Sequence, residues 1–335
     1  MRNLVRGLAV AAVFFALTPR VANADPVVLK LSFFSSDRAS IYRTQIKPFV
    51  DAVNAEGSGL LHIDVAFSGA LGRDPAQQAQ LVLDGKADLA WVVPGYRPDI
   101  FPDDSVISLP GLFDSSPDAT RVYGGLARSG ALRGYDKFVV VSYYAPAPET
   151  FVSRVPIASL ADINGLRVRV SNPMEVATIT RLGGKPVELP INQTASAISS
   201  GDIDAALLPS GELQVEFGVA RVAPNHYLLG ISTVPLTILM NRAVYTSLPK
   251  AAQDIITKYG GQWAADRYLA DTRTANDRIV ADLQADPKRK FVVPSVGDRE
   301  QAAKVFKAIV ADWLATSPGN ADLLARVRAD LSKSK

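Results

Sequence analysis

Arg167 and Arg169, two apart in Gly165-Leu166-Arg167-Val168-Arg169-Val170-Ser171-Asn172-Pro173, are the residues whose type and spacing best suit a binding chemistry. A guanidinium presents five donors in a planar fork and can hold a carboxylate bidentately. Leu166, Val168 and Val170 alternate with the arginines, which predicts a short strand with both guanidinium groups on one face. Arg169 falls near the strand's carboxyl end, before the turn signal Ser171-Asn172-Pro173 and a helix-like run from Met174 to Leu182. In open α/β sheets that end of a strand faces the ligand crevice. Arg169 is therefore expected to hold the carboxylate of a small ligand between two lobes. The competing reading makes both arginines solvated edge residues.

Other chemistries find little support. The chain has no Gly-x-Gly-x-x-Gly, no Gly-x-x-x-x-Gly-Lys and no Gly-x-Ser-x-Gly. His62 and His226 are its two histidines and cysteine is absent, which argues against zinc and leaves oxygen-liganded metals open. Both histidines read as structural, and neither a cofactor nor a metal is expected. Asp103 and Asp104 are adjacent, and neighbouring side chains on an extended chain diverge, so they do not suggest an acid–base pair. The expectation is a protein that is not an enzyme; a secreted α/β enzyme acting on a small acid is the alternative.

Several elements must position Arg169. Strands are predicted at Val27–Phe34, Leu61–Phe67, Phe138–Tyr144, Thr150–Val155, Pro186–Leu189, Ala205–Leu208, Tyr227–Ile231, Pro235–Asn241 and Lys290–Pro294. Ser35-Ser36-Asp37-Arg38 is a polar loop at the first strand's end, and Ser40–Glu56 is helical by period, with a kink expected at Pro48. Gly85-Lys86-Ala87-Asp88-Leu89-Ala90-Trp91-Val92-Val93-Pro94-Gly95 reads as helix stop, buried strand and turn. Gly201-Asp202-Ile203-Asp204-Ala205-Ala206-Leu207-Leu208-Pro209-Ser210-Gly211 repeats that order 116 residues later. Either the likeness is chance, Gly-x-x-Asp being common, or the chain holds two lobes of similar build facing a shared cleft. Ala145-Pro146-Ala147-Pro148 is a stiff link between them, and Pro235–Asn241 is expected to return to the first lobe. From Leu248 to Ala285 the pattern is helical, broken near Gly260-Gly261. Roughly 36 residues of helix would reach about 54 Å, long enough to back both lobes as a strut. Terminal helices are expected over Asp298–Leu331.

Composition bounds the class. Arg2 and Arg6 precede an apolar run from Leu8 to Leu17, and Ala22-Asn23-Ala24 supplies a signal-peptidase pattern. Ten apolar residues are too few to span a bilayer, which takes about 20. Cleavage after Ala24 removes Arg2, Arg6 and Arg20 and no acid, so the formal charge falls from +3 to 0 and the basic balance makes no case for nucleic acid. The expected mature product is exported, soluble and monomeric. About 311 residues remain, enough for roughly two lobes with their own cores. The division expected is signal peptide 1–24, first lobe 25–146 plus 232–268, and second lobe 147–231 plus 269–335.

Taken in order, Ser68-Gly69-Ala70-Leu71-Gly72, Leu83-Asp84-Gly85-Lys86-Ala87-Asp88, Ser108-Leu109-Pro110-Gly111-Leu112-Phe113-Asp114, the arginine strand with its lead-in Leu160-Ala161-Asp162-Ile163-Asn164, Leu182-Gly183-Gly184-Lys185-Pro186-Val187 and Leu248-Pro249-Lys250-Ala251-Ala252-Gln253 carry a resemblance. With the signal peptide, they make nearly the whole mature chain similar to the periplasmic solute-binding proteins of tripartite ATP-independent (TRAP) transporters, DctP type. The resemblance implies an α/β two-lobe periplasmic binding protein with a cleft between the lobes and a long helix crossing both. It also implies hinge closure on the ligand and delivery to TRAP membrane permease subunits. In that family the arginine of the Gly-Leu-Lys-hydrophobic-Arg-Val phrase pairs with the ligand's carboxylate, and the carry-over falls on Arg169. Two departures bear on the ligand: many members have Gly-x-Glu-Asn after the second Gly-x-x-Asp, where this chain has Asp204-Ala205-Ala206-Leu207-Leu208. Several acid-sugar binders carry an extra arginine just past the hinge, where this chain reads Pro148-Glu149-Thr150-Phe151.

One fixed cation satisfies one carboxylate, and the walls read apolar. The ligand expected is a small organic carboxylate, an aromatic or branched apolar monocarboxylate, gripped by Arg169. Trp91, Tyr144, Phe151 and Leu208 should cover it, with Ser35, Ser36 or Asn172 at its polar end. A C4-dicarboxylate is the alternative and would need Arg38 or Arg97 at the cleft.

Overall fold

A computed structural model describes residues 25–333; the proposed signal peptide lies outside them. The alternating apolar runs form eleven strands: β1 (Val27–Ser32), β2 (Leu61–Ala66), β3 (Leu89–Val92), β4 (Phe138–Tyr144), β5 (Thr150–Ser153), β6 (Arg167–Val170), β7 (Lys185–Glu188), β8 (Ala205–Leu208), β9 (Asn225–Tyr227), β10 (Leu236–Asn241) and β11 (Lys290–Val292). They build two sheets, ordered β2-β1-β3-β10-β4 and β11-β9-β5-β8-β6-β7.

The two sheets repeat one plan. β1 lies parallel between β2 and β3, as β6 lies parallel between β7 and β8. The strand on the far side of β3 is the antiparallel β10, and that on the far side of β8 is the antiparallel β5. The recurring Gly-x-x-Asp phrase does the same work in both. Asp88 accepts the N–H of Lys30 in β1 at 2.8 Å, and Asp204 accepts the N–H of Arg167 in β6 at 3.0 Å. Each aspartate thereby fastens the start of one strand to its neighbour, so the repeat is a structural one.

Helices cover both sheets: α1 (Lys47–Glu56), α2 (Gln78–Leu83), α3 (Ser116–Arg128), α4 (Pro173–Arg181), α5 (Ile191–Ser200), α6 (Glu212–Glu216), α7 (Val219–Val222), α8 (Arg242–Ser247), α9 (Lys250–Tyr259), α10 (Gly261–Ala285), α11 (Val296–Thr316) and α12 (Gly319–Ser332). Helix runs without a break from Ser40 to Glu56, and Pro48 follows directly on a π-helical turn over Tyr42–Ile46, the kind of bulge that accommodates a proline. The helical run after Leu248 breaks at Gly260, where the glycine pair predicted it. At Gly260 the chain passes so close to β4 that a Cβ would lie 2.4 Å from the Val141 carbonyl oxygen, and the helix restarts as the 25-residue α10. That helix, about 37 Å long, packs on β4, α3 and the Tyr42–Ile46 turn on one side and on α6 on the other. Its Asn276 side chain accepts the Glu212 N–H at 3.0 Å.

The C-terminus also spans the sheets. α11 packs on α4, whereas α12 lays Leu323, Leu324 and Val327 into the core beside Tyr123 and Leu126 of α3. Residues 269–335 were expected with the second lobe; within them, α12 packs on α3. No helix among the described residues is long and apolar enough to cross a membrane.

Candidate functional site

Strand alternation decides which side chains meet. In the second sheet Val168, Val170 and Leu207 pack with Phe151 on one face, in the core that also holds Tyr227. Arg169, in register with Ala206 on β8, is on the other face, which looks toward the first sheet. There the Arg169 side chain is buried to 1% exposure. Its Nε donates to the Leu189 carbonyl at 2.9 Å, Nη1 to the Leu207 carbonyl at 3.1 Å and Nη2 to the Tyr96 hydroxyl at 2.9 Å. These bonds use three of five N–H donors and leave one on each terminal nitrogen, the fork that a carboxylate accepts.

Tyr96 comes from the turn after β3, so this contact joins the two sheets. Its hydroxyl also accepts the Ile191 N–H at 3.1 Å. Burial raises the Tyr96 hydroxyl above its ordinary range, with Arg169 partly opposing. A second joint lies nearby. Glu216, at the end of α6, accepts the N–H groups of Ser40 at 2.9 Å and Ile41 at 3.3 Å and the Ser40 hydroxyl. A carboxylate from the second sheet thus caps the entry to the first sheet's opening helical turn. Phe34 and Phe217 stack between the same elements at 6.3 Å.

The cavity around Arg169 is lined by Trp91, Val93, Tyr96, Ile191, Leu208 and Leu236, among others, and by the carboxyl of Glu149. It measures about 30 Å³, room for a water or two and too little for an aromatic acid. A cavity of about 210 Å³ shares Ile41, Pro146, Pro209 and Leu213 with it and is walled further by Tyr268 and Glu212.

Of the residues expected at the site, Arg169, Trp91 and Leu208 line this cavity. The others lie elsewhere. Tyr144, on the edge strand β4, donates its hydroxyl to the Gln45 carbonyl at 2.8 Å and meets Tyr268 edge-on at 4.9 Å. Phe151 faces the opposite side of its sheet from Arg169. Asn172 caps α4, accepting the N–H groups of Met174 at 3.0 Å and Glu175 at 3.1 Å. It is a point of close approach as well, since a side chain on Gly95 would meet its Cβ at 3.2 Å. Ser35 and Ser36 are half-buried in the turn leaving β1, where the Ser36 carbonyl accepts the Ala39 N–H at 3.1 Å. Tyr96 and Glu149 were missed. Tyr96 stands two residues past the Pro94-turn that mirrors Pro209, and that mirrored place was the available signal.

Neither cation required by a dicarboxylate is in the lining. Arg97 is bound by Asp99 at 2.8 and 2.7 Å, and Arg38 is exposed. Arg167 shares the face of Arg169 but is spent on structure. Its Nε and Nη2 reach the Asp204 carboxylate at 3.0 and 2.9 Å, and Arg154 binds the same group. The Arg167 hydrogen bond is the largest cause that holds Asp204 well below the usual carboxylate range. Asp204→Asn is therefore expected to cost about 1–3 kcal/mol of stability at neutral pH, with ligand affinity of the folded protein unchanged. Because the folded value is the lower one, the loss should be full above the unfolded value of about 3.9 and shrink as pH falls below it toward the folded value. Thermal unfolding of both forms between pH 7 and 2.5 checks this; an equal difference throughout would show that Asp204 contributes no charge-dependent stability.

His62 is exposed beside Asp64, and His226 is buried, stacked on Phe291 at 4.1 Å. No group of three or more potential metal ligands occurs among the described residues.

The family model described as bacterial extracellular solute-binding protein, family 7 (DctP), matches residues 34–316. A solute-binding protein of Verminephrobacter eiseniae is 24% identical over 247 residues, covering 72% of each chain. Among solved structures, a marine-metagenome TRAP solute-binding protein specific for aromatic acid ligands superposes with a TM-score of 0.82 at 26% identity, over 92% of this chain and 99% of that one. That structure is of a triple surface mutant in complex with meta-hydroxyphenylacetate after thermal exchange of ligand, and the same protein was co-crystallised with 3-hydroxybenzoate. A TRAP solute-binding protein of Rhodoferax ferrireducens, with copurified benzoate, superposes with a TM-score of 0.82 at 23% identity, over 92% of this chain and 98% of that one.

Proposed function

The chain belongs to the bacterial extracellular solute-binding protein family 7, and from that premise we propose that it is the periplasmic receptor of a TRAP transporter for an aromatic or branched apolar monocarboxylate. One observation carries the reading: a buried arginine, with two N–H donors that no described residue uses, in a largely apolar cavity between two sheets. Arg169 binds the carboxylate, while Trp91, Val93, Ile191, Leu208 and Leu236 face the body of the ligand. The aromatic acids bound by the marine receptor fit the same chemistry.

The ligand enters when the lobes part and is enclosed when they close. Bending falls where the chain crosses between sheets, at Ala145 to Pro148 and Gly230 to Pro235. These crossings are tied together, Glu149 N–H to the Ser232 carbonyl at 2.7 Å and the Thr233 hydroxyl to the Pro146 carbonyl at 2.6 Å. The receptor acts as an exported monomer, performs no catalysis, and hands its ligand to membrane permease subunits.

Calorimetry on the mature chain tests the proposal. Phenylacetate, 3-hydroxybenzoate or a branched 2-oxo acid should bind and be recovered unchanged by mass analysis, and scattering should show a smaller radius of gyration with saturating ligand than without. Tight binding of succinate or malate with no response to the apolar acids would overturn the ligand class. Chemical conversion of the acid would overturn the receptor role.

A further inference from the structure

The cavity of Arg169 contains a carboxyl group that gripping a carboxylate does not use. Glu149 lines it at 4% exposure, on a backbone held by the second crossing segment, its N–H on the Ser232 carbonyl at 2.7 Å and its carbonyl on the Ile231 N–H at 2.9 Å. Beside it is Glu175 of α4, fully buried. Both Glu175 oxygens already act as acceptors. Oε2 takes the Ser171 N–H at 2.7 Å and the Ser171 hydroxyl at 2.9 Å, and Oε1 takes the Ser232 hydroxyl at 2.9 Å. Glu175 is thus supplied with donors on both oxygens, whereas Glu149 is not. Burial, and then Glu175, push Glu149 well above the ordinary carboxyl range, against the pull of Arg169.

A protonated carboxyl keeps acceptor capacity on its carbonyl oxygen. The Glu149 Oε2 atom is buried and receives no hydrogen bond from any described residue. A buried acceptor without a donor is costly, and a ligand hydroxyl would supply what is missing. A second carboxylate would bring only further acceptors to this point.

Resting on the carboxylate-binding role of Arg169, we infer that Glu149 is a specificity-determining residue that accepts a hydrogen bond from a hydroxyl on the ligand. The preferred ligand is then a hydroxylated carboxylic acid, and dicarboxylates are turned away.

Calorimetry on matched acids tests this: phenylacetate against mandelate and 3-hydroxyphenylacetate, benzoate against 3-hydroxybenzoate, and 3-phenylpropionate against 3-phenyllactate and phenylalanine. In wild type at least one hydroxylated acid should bind tenfold or more tighter than its parent. Glu149→Gln should keep that preference, because its amide N–H can donate to Glu175 while its carbonyl accepts from the ligand. Glu149→Leu should lose the preference to within about twofold while still binding the parent acids, which also shows that it folds. Should the Leu variant not fold, the wild-type pairs and the Gln variant decide. Equal binding of parents and hydroxy acids by wild type, or a preference that survives in the Leu variant, would overturn the inference. Selection of phenylalanine that vanishes in Glu149→Gln would overturn it too, by making Glu149 an ionised partner for ammonium. Failure of wild type to bind any carboxylate would instead overturn the role of Arg169.

Discussion

Arg169→Ala is expected to weaken binding of the carboxylate ligand by two to three and a half decades. In the closed site the guanidinium and the carboxylate are both out of water, and removing one partner of such a buried pair costs roughly 3–5 kcal/mol. The scaffold contributes to that figure. The Leu189 and Leu207 carbonyls and the Tyr96 hydroxyl hold the guanidinium in one orientation, so its remaining two N–H groups are aimed before the ligand arrives. Arg169→Lys keeps the charge but cannot make those three contacts and a two-point grip together, so it should fall well short of wild type. Arg167→Ala is the control: it loses the Asp204 pair and some stability, with little effect on affinity. Calorimetry on the three variants checks the ranking. Binding by Arg169→Ala within a few-fold of wild type would remove Arg169 from the site.

Glu216→Ala should weaken apparent affinity by about tenfold to a hundredfold although Glu216 is absent from the wall of the Arg169 cavity. Its carboxylate satisfies two backbone N–H groups and a hydroxyl on the opposite sheet, contacts that parting of the lobes would break. Without it, closure leaves these donors to water where the shortened side chain admits it, and a net cost of about 1–3 kcal/mol is expected. Apparent affinity falls in proportion to the closed fraction. Glu216→Gln, which retains one acceptor oxygen, should lose less. Scattering under saturating ligand separates this from a direct contact, because the Ala variant should need more ligand to reach the same compact radius. An unaltered titration would mean that the contact contributes nothing to closure.

Much of this was legible where side-chain alternation and turn chemistry agree. Phe138–Tyr144 and Ala205–Leu208 are strands at their expected bounds, and the two Gly-x-x-Asp phrases do sit at matching places in two like sheets. The arginine pair was legible as a strand face, but only the fold divides its labour between Asp204 and the cavity. Tyr144 and Phe151 show what nearness to a strand end leaves open. Phe151 is one residue out of phase with the cavity face, and Tyr144 belongs to an edge strand whose hydroxyl is claimed by Gln45. Residues 228–231 look like strand by composition, yet β9 ends at Tyr227, and the following residues cross between the sheets. Glu149 was hidden for another reason. An acid after two prolines reads as solvent-facing, and nothing local reports that Glu175, far along the chain, will lie against it.

The order of strands in the first sheet also constrains how the molecule assembles. β10 is inserted between β3 and β4, hydrogen-bonded to both, yet every strand from β5 to β9 is synthesised before it. Until residues 236–241 emerge, β4 has no neighbour in its sheet and β3 has a bare edge carrying Trp91. The first sheet therefore cannot close while the chain is still growing through the second, and the non-local β10 pairing is a late and slow step. A fragment ending before Leu236 would be expected to expose that edge and aggregate.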